Sequence, residues 1–452
     1  MSLNKVYEYV DEHADDFVAN LVKLIKQPSV SAKGEGMQEC AELVKKMMRK
    51  VGLSTKIIHE EKGNPVVYGE IKSKKSRKTL LFYDHYDVQP PEPLEKWKYE
   101  PFSGKISGGK IYGRGASDNK GNFVSRLNAV QTMLEVTGKV PVNVKFFVEG
   151  EEEIGSPHLE PIIKRHKDLF SADAAIWEFG GTDTHGRPLL HLGLKGVLSV
   201  ELRARGALKD VHSANAPLIP NPAWSLIWAL NHLKDREENI LIEGFYENVL
   251  KPSSEEIKYL KNIPTEDEEI KKELSIKKFL HDKSGLEALK ALLYQPTCTI
   301  NGFISGYTGK GSKTVLPHEA TVKLDFRLVP NQNSSEIFKK LGKHLKKHGF
   351  KDLEIIEHGS TDPTRTPITD PFVKLTAKTA EKVYGKKAVI YPTSAGSGPM
   401  HLFRNFLGYP VVSVGCSHPK SNTHAPNENL QIKSFVKGIK FMATLLTDFA
   451  SS

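Results

Sequence analysis

The 452-residue sequence predicts an α/β domain that is interrupted by a smaller α+β domain. In the first 195 residues, segments with the period of an amphipathic helix alternate with short apolar, strand-like runs. From Gly196 to about residue 365 the strands alternate apolar and polar residues, as half-exposed strands do. The first pattern returns from residue 366 to residue 452. Such alternation is typical of a sheet covered by helices on both faces, here built from two separate pieces of chain.

The first piece, residues 1–195, begins with a helix predicted over residues 4–26. Ser156 is predicted to be the N-cap of a helix whose first turn contains Pro157. The other predicted elements are, in order, helix "MQECAELVKKMMRKVG", strands "VVYGEI" and "TLLFYDHYD", helix "NFVSRLNAVQTMLEV", strand "VNVKFFVEG" and strand "AAIWE".

The middle piece, residues 196–365, is predicted to be a small β-α-β-β-α-β domain. Its elements are "GVLSVELRARG", "PAWSLIWALNHLK", "TINGFISGY", "ATVKLDFRLVP", "SSEIFKKLGKHLKKHGF" and "LEIIEHG". A charged, helix-rich insertion occupies about residues 235–296. The last piece, residues 366–452, contains helix "PFVKLTAKTAEKVYG", strand "VVSVGC" and a final helix.

Composition argues against several classes of partner. The net charge is +10, but the lysines are scattered and have no interleaved aromatic residues, so we expect no nucleic-acid partner. No apolar run has membrane-spanning length, so we expect no membrane partner. Three separated cysteines without a CxxC pair fit a reducing compartment, and we expect a cytoplasmic protein.

Charged side chains follow two predicted strands. His85 and Asp87 come after the run "TLLFY", and four glutamates, including Glu152 and Glu153, crowd into "EGEEE". Since sites in open α/β sheets lie at the carboxyl ends of strands, these groups are expected to share one cleft. Such a density of carboxylates is unfavourable unless cations or protons compensate it. Glu151 is predicted to point to solvent at a helix entry, and Glu149 has no predicted role.

Two more candidate histidines, His418 and His424, follow the strand "VVSVGC". A metal-bound imidazole needs an acceptor on its second nitrogen, which Asp87 could supply to His85. Each residue alone has an ordinary structural explanation, and Asp118 in "GRGASDNKG" could simply form a turn. Together, carboxylates and imidazoles without thiolates suit a pair of zinc or manganese ions. Neither "GRGASDNKG" nor "GKGSKT" has the spacing of a phosphate-binding loop.

Five motifs resemble those of the metal-dependent aminoacylase and exopeptidase family, in its order and approximate spacing: "DHYDVQP", "GRGASDNKG", "EGEEEIGSPHL", "DVHSANAP" and "SNTHAPNE". That family includes carnosine-type dipeptidases, glutamate carboxypeptidases, acetylornithine deacetylase and succinyl-diaminopimelate desuccinylase, and the dipeptidase branch is the most similar. The resemblance implies a zinc-aminopeptidase-like catalytic domain, with an inserted ferredoxin-like lid that forms a homodimer. It also implies two divalent ions per subunit, Zn²⁺ or Mn²⁺.

The resemblance also assigns roles to single residues. His85 resembles a ligand of one metal, and Asp118 resembles the bridging carboxylate. Glu153 and His424 resemble ligands of the second metal. For the remaining ligand, Glu178 matches better than Asp173. Glu152 resembles the general base, with Asp87 as the partner that orients His85.

Further residues resemble the family's substrate-binding positions. His212 resembles a lid histidine that polarises the scissile carbonyl, expected from the other subunit. Arg327 resembles the arginine that holds a substrate carboxylate. Taken alone, His212 would be read as a turn cap and Arg327 as a strand-face charge. His358, Ser397 and Thr314 resemble additional pocket positions.

The predicted function is hydrolysis of the amide bond of dipeptides or short peptides with a free C-terminal carboxylate. Metal-activated water is expected to attack while Glu152 accepts its proton. One alternative is an N-acyl amino acid deacylase with the same metals and base. Another is a catalytically silent metal-binding protein.

Overall fold

A computed structural model describes residues 3–452 of the chain. Its α-helices are α1 Leu3–Glu12, α2 Ala14–Ile25, α3 Met37–Val51, α4 Lys120–Thr137, α5 Leu159–Arg165, α6 Pro222–Asn231, α7 Ser254–Leu260, α8 Asp267–Glu273, α9 Gly285–Tyr294, α10 Ser334–Lys347, α11 Pro371–Tyr384 and α12 Ile432–Ser451. No helix in this range is long and apolar enough to cross a membrane.

The strands are β1 Ser54–Ile58, β2 Val66–Ile71, β3 Thr79–His85, β4 Lys105–Ser107, β5 Lys110–Tyr112, β6 Asn143–Glu149, β7 Ala174–Trp177, β8 Leu189–His191, β9 Gly193–Leu194, β10 Gly196–Arg205, β11 Val211–His212, β12 Thr297–Ser305, β13 Val315–Leu316, β14 Glu319–Leu328, β15 Glu354–Thr361, β16 Thr364–Arg365, β17 Val389–Tyr391, β18 Val411–Ser413 and β19 Asn429–Gln431.

The larger domain is built on a mixed sheet in the order β1-β2-β6-β3-β7-β18-β8-β17. Its central strands β6, β3, β7 and β18 are parallel to one another, so their carboxyl ends meet at one edge. One face packs against α1 to α4, α11 and α12, and the other packs against α5 and the segment around Phe403. The α/β prediction is confirmed.

The smaller domain is an antiparallel sheet in the order β12-β14-β10-β15, covered on one face by α6 and α10. This strand order with two helices on one face is the predicted ferredoxin-like arrangement. Where the chain passes between the two sheets, β9 pairs with β16.

The insertion between α6 and β12 packs against the larger domain. Leu260 of α7 and Leu293 of α9 are buried with Val389 of the edge strand β17. The Lys195 ammonium, which is buried at the start of the lid, donates to the Gln295 carbonyl at 2.6 Å. The insertion therefore widens the larger domain on its β17 side.

Two local predictions are wrong. The helix predicted over residues 4–26 is two helices, α1 and α2, separated at His13. Helix α5 begins at Leu159, after Pro157. Ser156 is not its N-cap: the residue has a φ of 49°, and its hydroxyl donates to Glu149 Oε1 at 2.9 Å.

Helix α4 is almost entirely buried between the sheet and the outer helices, and it contains a charged residue in that position, Arg126, which is fully buried. The guanidinium is paired with Asp84, which is also fully buried. Its five hydrogen bonds go to the ends of three parallel strands: Tyr83 O at 2.9 Å, Asp84 Oδ1 at 2.6 Å, Trp177 O at 2.7 Å, Glu178 O at 2.9 Å and Val414 O at 2.9 Å. Arg126 thus ties together the strand ends from which the predicted site residues extend.

Arg126→Met should lower the free energy of unfolding by about 3–5 kcal/mol, because it leaves the buried Asp84 carboxylate and several carbonyls without a donor. Guanidinium-induced unfolding followed by circular dichroism measures the change. Arg165→Met is the matched control, since Arg165 is 59% exposed and pairs with Glu60 at the surface. Its cost should be at most about 1 kcal/mol. Equal effects of the two substitutions would contradict this role for Arg126.

Candidate metal centre and active site

His85 is the last residue of β3, and its position follows from the packing of that strand. The strand is buried along most of its length, and Tyr83 stacks on Trp177 of β7 with ring centroids 3.8 Å apart. The His85 ring is 1% exposed and points to the carboxyl edge of the sheet, where its Nε2 meets the predicted carboxylates.

Two of those carboxylates lie close to His85 Nε2. Asp118 Oδ1 is 3.1 Å away and Glu178 Oε2 is 3.3 Å away. Burial lowers the pKa of His85, but the Glu178 charge and the hydrogen bonds to Asp118 and Asp87 outweigh it, so the pKa is raised well above its usual value. His85 is therefore a shared donor: its ring nitrogen lies within 4.8 Å of one oxygen each of Glu152 and Glu178, which are equally close to one another, and the same holds for His85, Asp118 and Glu153.

A second histidine, His424, lies on the other side of Asp118. His424 Nε2 is 3.2 Å from Asp118 Oδ2 and 3.0 Å from Glu153 Oε2. These two hydrogen bonds raise the pKa of His424 to about 10. Asp118 directs one carboxylate oxygen to each histidine, which is the placement expected of a bridging ligand.

The residues present fit a pair of divalent ions. Donor atoms that lie about 2.0–2.2 Å from one tetrahedral ion are roughly 3.3 Å from each other, and the separations above cluster around that value. Glu178 Oε2 and Glu153 Oε1 are buried without a hydrogen-bond partner anywhere in residues 3–452. Such orphaned carboxylate oxygens are costly unless a cation binds them. The donor set, oxygen and imidazole without sulfur, suits zinc or manganese.

Asp87 organises the ligands without belonging to either group. Its Oδ1 is 3.3 Å from His85 Nδ1, and its carboxylate accepts the backbone N–H groups of Glu152 at 3.2 Å and Glu153 at 3.0 Å. Asp87 therefore fixes the orientation of the His85 ring relative to the turn that contains Glu152 and Glu153.

Glu428 supports Asp118 and was missed in the sequence. The Glu428 carboxylate is fully buried and forms a 2.7 Å ion pair with Arg114. It also accepts three backbone N–H groups of the loop that carries Asp118: Gly115 at 3.0 Å, Ser117 at 2.9 Å and Asp118 at 3.0 Å. The signal was present, because Glu428 ends the motif "SNTHAPNE", but nothing in the sequence indicates which backbone it would hold.

Glu152 shares a group with His85 and Glu178, but it lies farther from the His85 ring than Glu178 does. Its Oε2 is 4.0 Å from His85 Nε2, and its side chain is 20% exposed. Burial raises the pKa of Glu152 to about 7; the His85 charge lowers it, and the charges of Asp118 and Glu153 raise it. A carboxyl group with a pKa near neutrality, beside the ligands, is suited to accept and return a proton.

The other carboxylates of "EGEEE" are satisfied by protein donors. Glu149 is buried and accepts from the hydroxyls of Tyr83 and Ser156. The prediction that Glu151 points to solvent is wrong. Glu151 is 6% exposed, accepts the backbone N–H of Asn64 at 3.0 Å and lies 2.9 Å from His158 Nδ1.

Two candidates lie outside the cluster. His418 is buried, and its Nε2 lies 3.1 Å from Asn429 Oδ1. Asp173 precedes β7 and accepts the Thr79 N–H at 2.7 Å, at the opposite end of the strand from Glu178. Glu178, the preferred residue, is the one that reaches His85.

The lid brings one predicted substrate-binding residue to the catalytic domain. Arg327, on the lid face that is not covered by helices, donates from Nη1 to Ser397 Oγ at 2.9 Å. His358 lies on the same sheet, 3.2 Å from Glu201 Oε2. Arg327 and Ser397 therefore form a contact between the two domains near the ligand cluster.

His212 and Thr314 lie together elsewhere on the lid. His212 pairs with Val315 in a two-stranded ribbon, and Ser213 donates to the Thr314 carbonyl at 3.1 Å. His212 Nδ1 accepts the Ala214 N–H at 3.1 Å, so the ring does cap a turn. No contact within residues 3–452 joins either residue to the ligand cluster.

The cluster opens into a large cleft of about 1350 Å³. Glu152, Glu178 and Ser397 line the end nearest the ligands, and the insertion lines the far end. The cleft is therefore formed jointly by the catalytic domain, the lid and the insertion.

The profile of Peptidase family M20/M25/M40 matches residues 81–448, which include every ligand of the cluster. The chain belongs to this peptidase family. It is 27% identical to Beta-Ala-His dipeptidase of Homo sapiens, over 99% of this chain and 93% of that protein. It is 28% identical to the Cys-Gly metallodipeptidase dug1 of Schizosaccharomyces pombe, over 100% of this chain and 99% of that protein.

Among solved structures, an M20 family metallo-carboxypeptidase, Sso-CP2 from Sulfolobus solfataricus, is 44% identical. It covers 96% of this chain and 99% of its own, with a TM-score of 0.90. The predicted family and the predicted peptidase activity are confirmed.

The metal-free M20 chain should lose stability between about pH 6.5 and pH 8. Burial raises the pKa of Glu149 to about 8 and of Glu152 to about 7, and His424 titrates at about 10. The folded state therefore binds more protons than the unfolded state in this window, so the free energy of unfolding falls as pH rises. Histidines whose pKa burial lowers, such as His191 at about 4, act in the opposite direction near pH 6.5, where the unfolded imidazole is still partly protonated, and this effect fades as the pH rises towards 8.

Differential scanning calorimetry of chelator-treated protein tests this expectation. Its Tm should drop by several degrees from pH 6.5 to pH 8. Metal-loaded protein should show a smaller drop or a rise, because metal binding replaces protons on the same groups. A metal-free Tm that rises across this window would show that the cluster does not hold excess protons.

Proposed function

We propose that this M20 peptidase uses two divalent ions, zinc or manganese, to hydrolyse dipeptides or short peptides that have a free C-terminal carboxylate. The observation that carries the proposal is Asp118 between His85 and His424, with one oxygen directed to each. The similarity to a Beta-Ala-His dipeptidase, a Cys-Gly metallodipeptidase and a metallo-carboxypeptidase supports peptides as the substrate class.

His85, Asp118 and Glu178 would hold one ion, and Asp118, Glu153 and His424 would hold the other. When bound, such ions lower the pKa of a water molecule and polarise the scissile carbonyl. Asp87 fixes the His85 ring, and Glu428 fixes the Asp118 loop, so the ligands are in place before any ion binds.

Glu152 is the proposed general base. Its carboxylate makes no contact shorter than 4.0 Å with His85, and a pKa of about 7 lets it take a proton from the attacking water. The same carboxyl group then returns the proton to the leaving amine, and His212 of a partner subunit is the proposed donor to the developing oxyanion.

Arg327 and Ser397 are the proposed binding site for the substrate carboxylate. An arginine can hold a carboxylate through two parallel hydrogen bonds, which would select substrates with a free C-terminus. His358 and Thr314 are also proposed to line the substrate pocket. An N-acyl amino acid has the same terminal carboxylate, so deacylation remains the second candidate reaction.

A homodimer through the lid is supported by two exposed apolar features. Helix α6 exposes Trp224 (52%), Ile227 (43%) and Trp228 (57%), and the indoles of Trp224 and Trp228 stack. Strand β12, which pairs with β14 alone in the described residues, is an edge strand that exposes Ile300 (53%). An unpaired edge beside an apolar helix face is suited to association with a second copy.

We also propose a cytoplasmic location. Cys40, Cys298 and Cys416 are all free and buried, as is usual in a reducing compartment.

Glu152→Gln should reduce kcat by about 10²–10⁴ while leaving metal content unchanged, because the ligands keep their positions and only proton transfer is lost. The assay is a panel of dipeptides and of acetyl- and succinyl-amino acids, each measured with zinc and with manganese. The surface variant Glu160→Gln, which removes only a pair with Lys164, is the control. Turnover that survives in metal-replete Glu152→Gln would overturn the mechanism. A preference for the acylated substrates would favour the deacylase.

Co-expression of two inactive variants tests whether His212 acts across a dimer. In a mixed dimer of His212→Ala and Glu152→Gln, one site would combine an intact Glu152 with an intact His212. Random pairing in a symmetric dimer should restore about a quarter of wild-type activity. Glu152→Gln with Glu178→Gln is the control and should restore none, because both residues belong to the same subunit's site. No recovery in the first mixture would show that His212 does not act across subunits.

A further inference from the structure

The cleft is larger than a dipeptide requires. Its volume is about 1350 Å³, whereas cavities that hold drug-sized ligands are about 300–1,000 Å³. The space begins at Asp118, Glu152 and His424 and continues to α8 and α9 of the insertion. Room therefore extends well past a single scissile bond.

The far wall of this cleft, which we call the insertion wall, consists of Ile270, Leu280 and Leu292. These side chains line the cleft and are 41%, 58% and 57% exposed. Helix α8 around Ile270 buries no residue, and its other side chains are charged. Large apolar groups held open on the wall of an active-site cleft mark contact with an apolar part of a ligand.

The Leu292 side of the insertion wall belongs to a helix that packs on the larger domain. The insertion is packed on β17 through Leu260 and Leu293, and Lys195 donates to the carbonyl of Gln295 at the end of α9. Arg187, close to the loop after Glu178, also donates to the Asn262 carbonyl at 3.4 Å. Leu292 is therefore held in place by the packing of α9.

The direction of the substrate follows from its two anchors. Ser397 is one of the residues that line the cleft. Its hydrogen-bond partner Arg327 is not, and no arginine among residues 3–452 lines the cleft. With the carboxylate at Arg327 and the scissile carbonyl at the ligand cluster, the remaining part of the peptide, its N-terminal side, enters the cleft.

We propose that the insertion wall is a subsite that prefers apolar residues N-terminal to the scissile bond in peptides longer than two residues. The assignment rests on the proposed peptidase function, and it adds an apolar side-chain preference to it.

Four peptides in which alanine contributes the scissile carbonyl test the effect of peptide length and of apolar side chains. They are Ala-Ala, Gly-Gly-Ala-Ala, Phe-Leu-Ala-Ala and, for the C-terminal side of the bond, Ala-Phe. The initial rate of release of the C-terminal residue is measured by chromatography on metal-loaded enzyme. Phe-Leu-Ala-Ala should exceed Gly-Gly-Ala-Ala in kcat/KM by about tenfold, the ratio that burial of roughly two methylene groups supplies.

Leu280→Ala/Leu292→Ala should remove most of that ratio while leaving kcat/KM for Ala-Ala unchanged. The matched control is Leu274→Ala, since Leu274 is 62% exposed in the same insertion and does not line the cleft. A readout without turnover is calorimetric binding of both tetrapeptides to Glu152→Gln, where the apolar peptide should bind more tightly and with the more negative heat-capacity change.

The outcomes are distinct. Equal kcat/KM for the two tetrapeptides overturns the subsite, and this comparison needs no variant. If Ala-Phe is hydrolysed faster than Ala-Ala and the double variant removes this difference, the insertion wall binds the residue C-terminal to the scissile bond. That result also overturns the proposal. Hydrolysis of Ala-Ala without either tetrapeptide rejects the subsite but keeps the peptidase. No hydrolysis of any peptide rejects both.

Discussion

The buried Arg126 guanidinium is the interaction on which the rest of the site depends. Parallel strands end with carbonyl groups that have no partner inside the sheet, and three such ends converge where the ligands begin. Arg126 donates to all three, and Asp84 balances its charge. His85 is the last residue of one of these strands and Glu178 directly follows another, so their separation is set by a rigid, charged anchor beneath them.

The carboxylates of the site are distinguished by their donors. Asp87 receives backbone N–H groups, Glu428 receives backbone N–H groups and the Arg114 guanidinium, and Glu149 receives two hydroxyl groups, so none of them needs a metal ion. Glu153 and Glu178 each keep one buried oxygen without a hydrogen bond. The crowding of negative charge in "EGEEE" is therefore resolved locally: protein donors satisfy Glu149 and Glu151, and Glu153 keeps a buried oxygen free for a cation. This division explains how a cluster can be so acidic without unfolding the strand that precedes it.

The sequence predicts those features that depend on periodicity or on a strand end. The two-domain fold and the order of the lid elements belong to this class, because they follow from the periodicity of apolar residues, whereas the choice of Glu178 over Asp173 rests on the family resemblance. Arg126 and Glu428 could not be predicted, since their partners are backbone groups that the fold alone brings together. Nor could the burial of Glu151, which depends on Asn64, a residue distant in sequence. The placement of the insertion depends in the same way on the exposed edge of β17.

Two cationic side chains, Lys195 and Arg327, lie where the lid meets the catalytic domain. Lys195 is buried at the start of the lid near Arg327, and burial together with the Arg327 charge lowers the pKa of Lys195 to about 8. Two cations brought this close repel each other, and an anion between or beside them relieves that repulsion. Within residues 3–452, the polar partners of the Arg327 guanidinium are the neutral Ser397 hydroxyl and, at 3.5 Å, the Asp325 carboxylate. A substrate carboxylate would therefore replace a weak acceptor with a charged one, and its binding would hold the lid against the catalytic domain at the place where the scissile bond must lie.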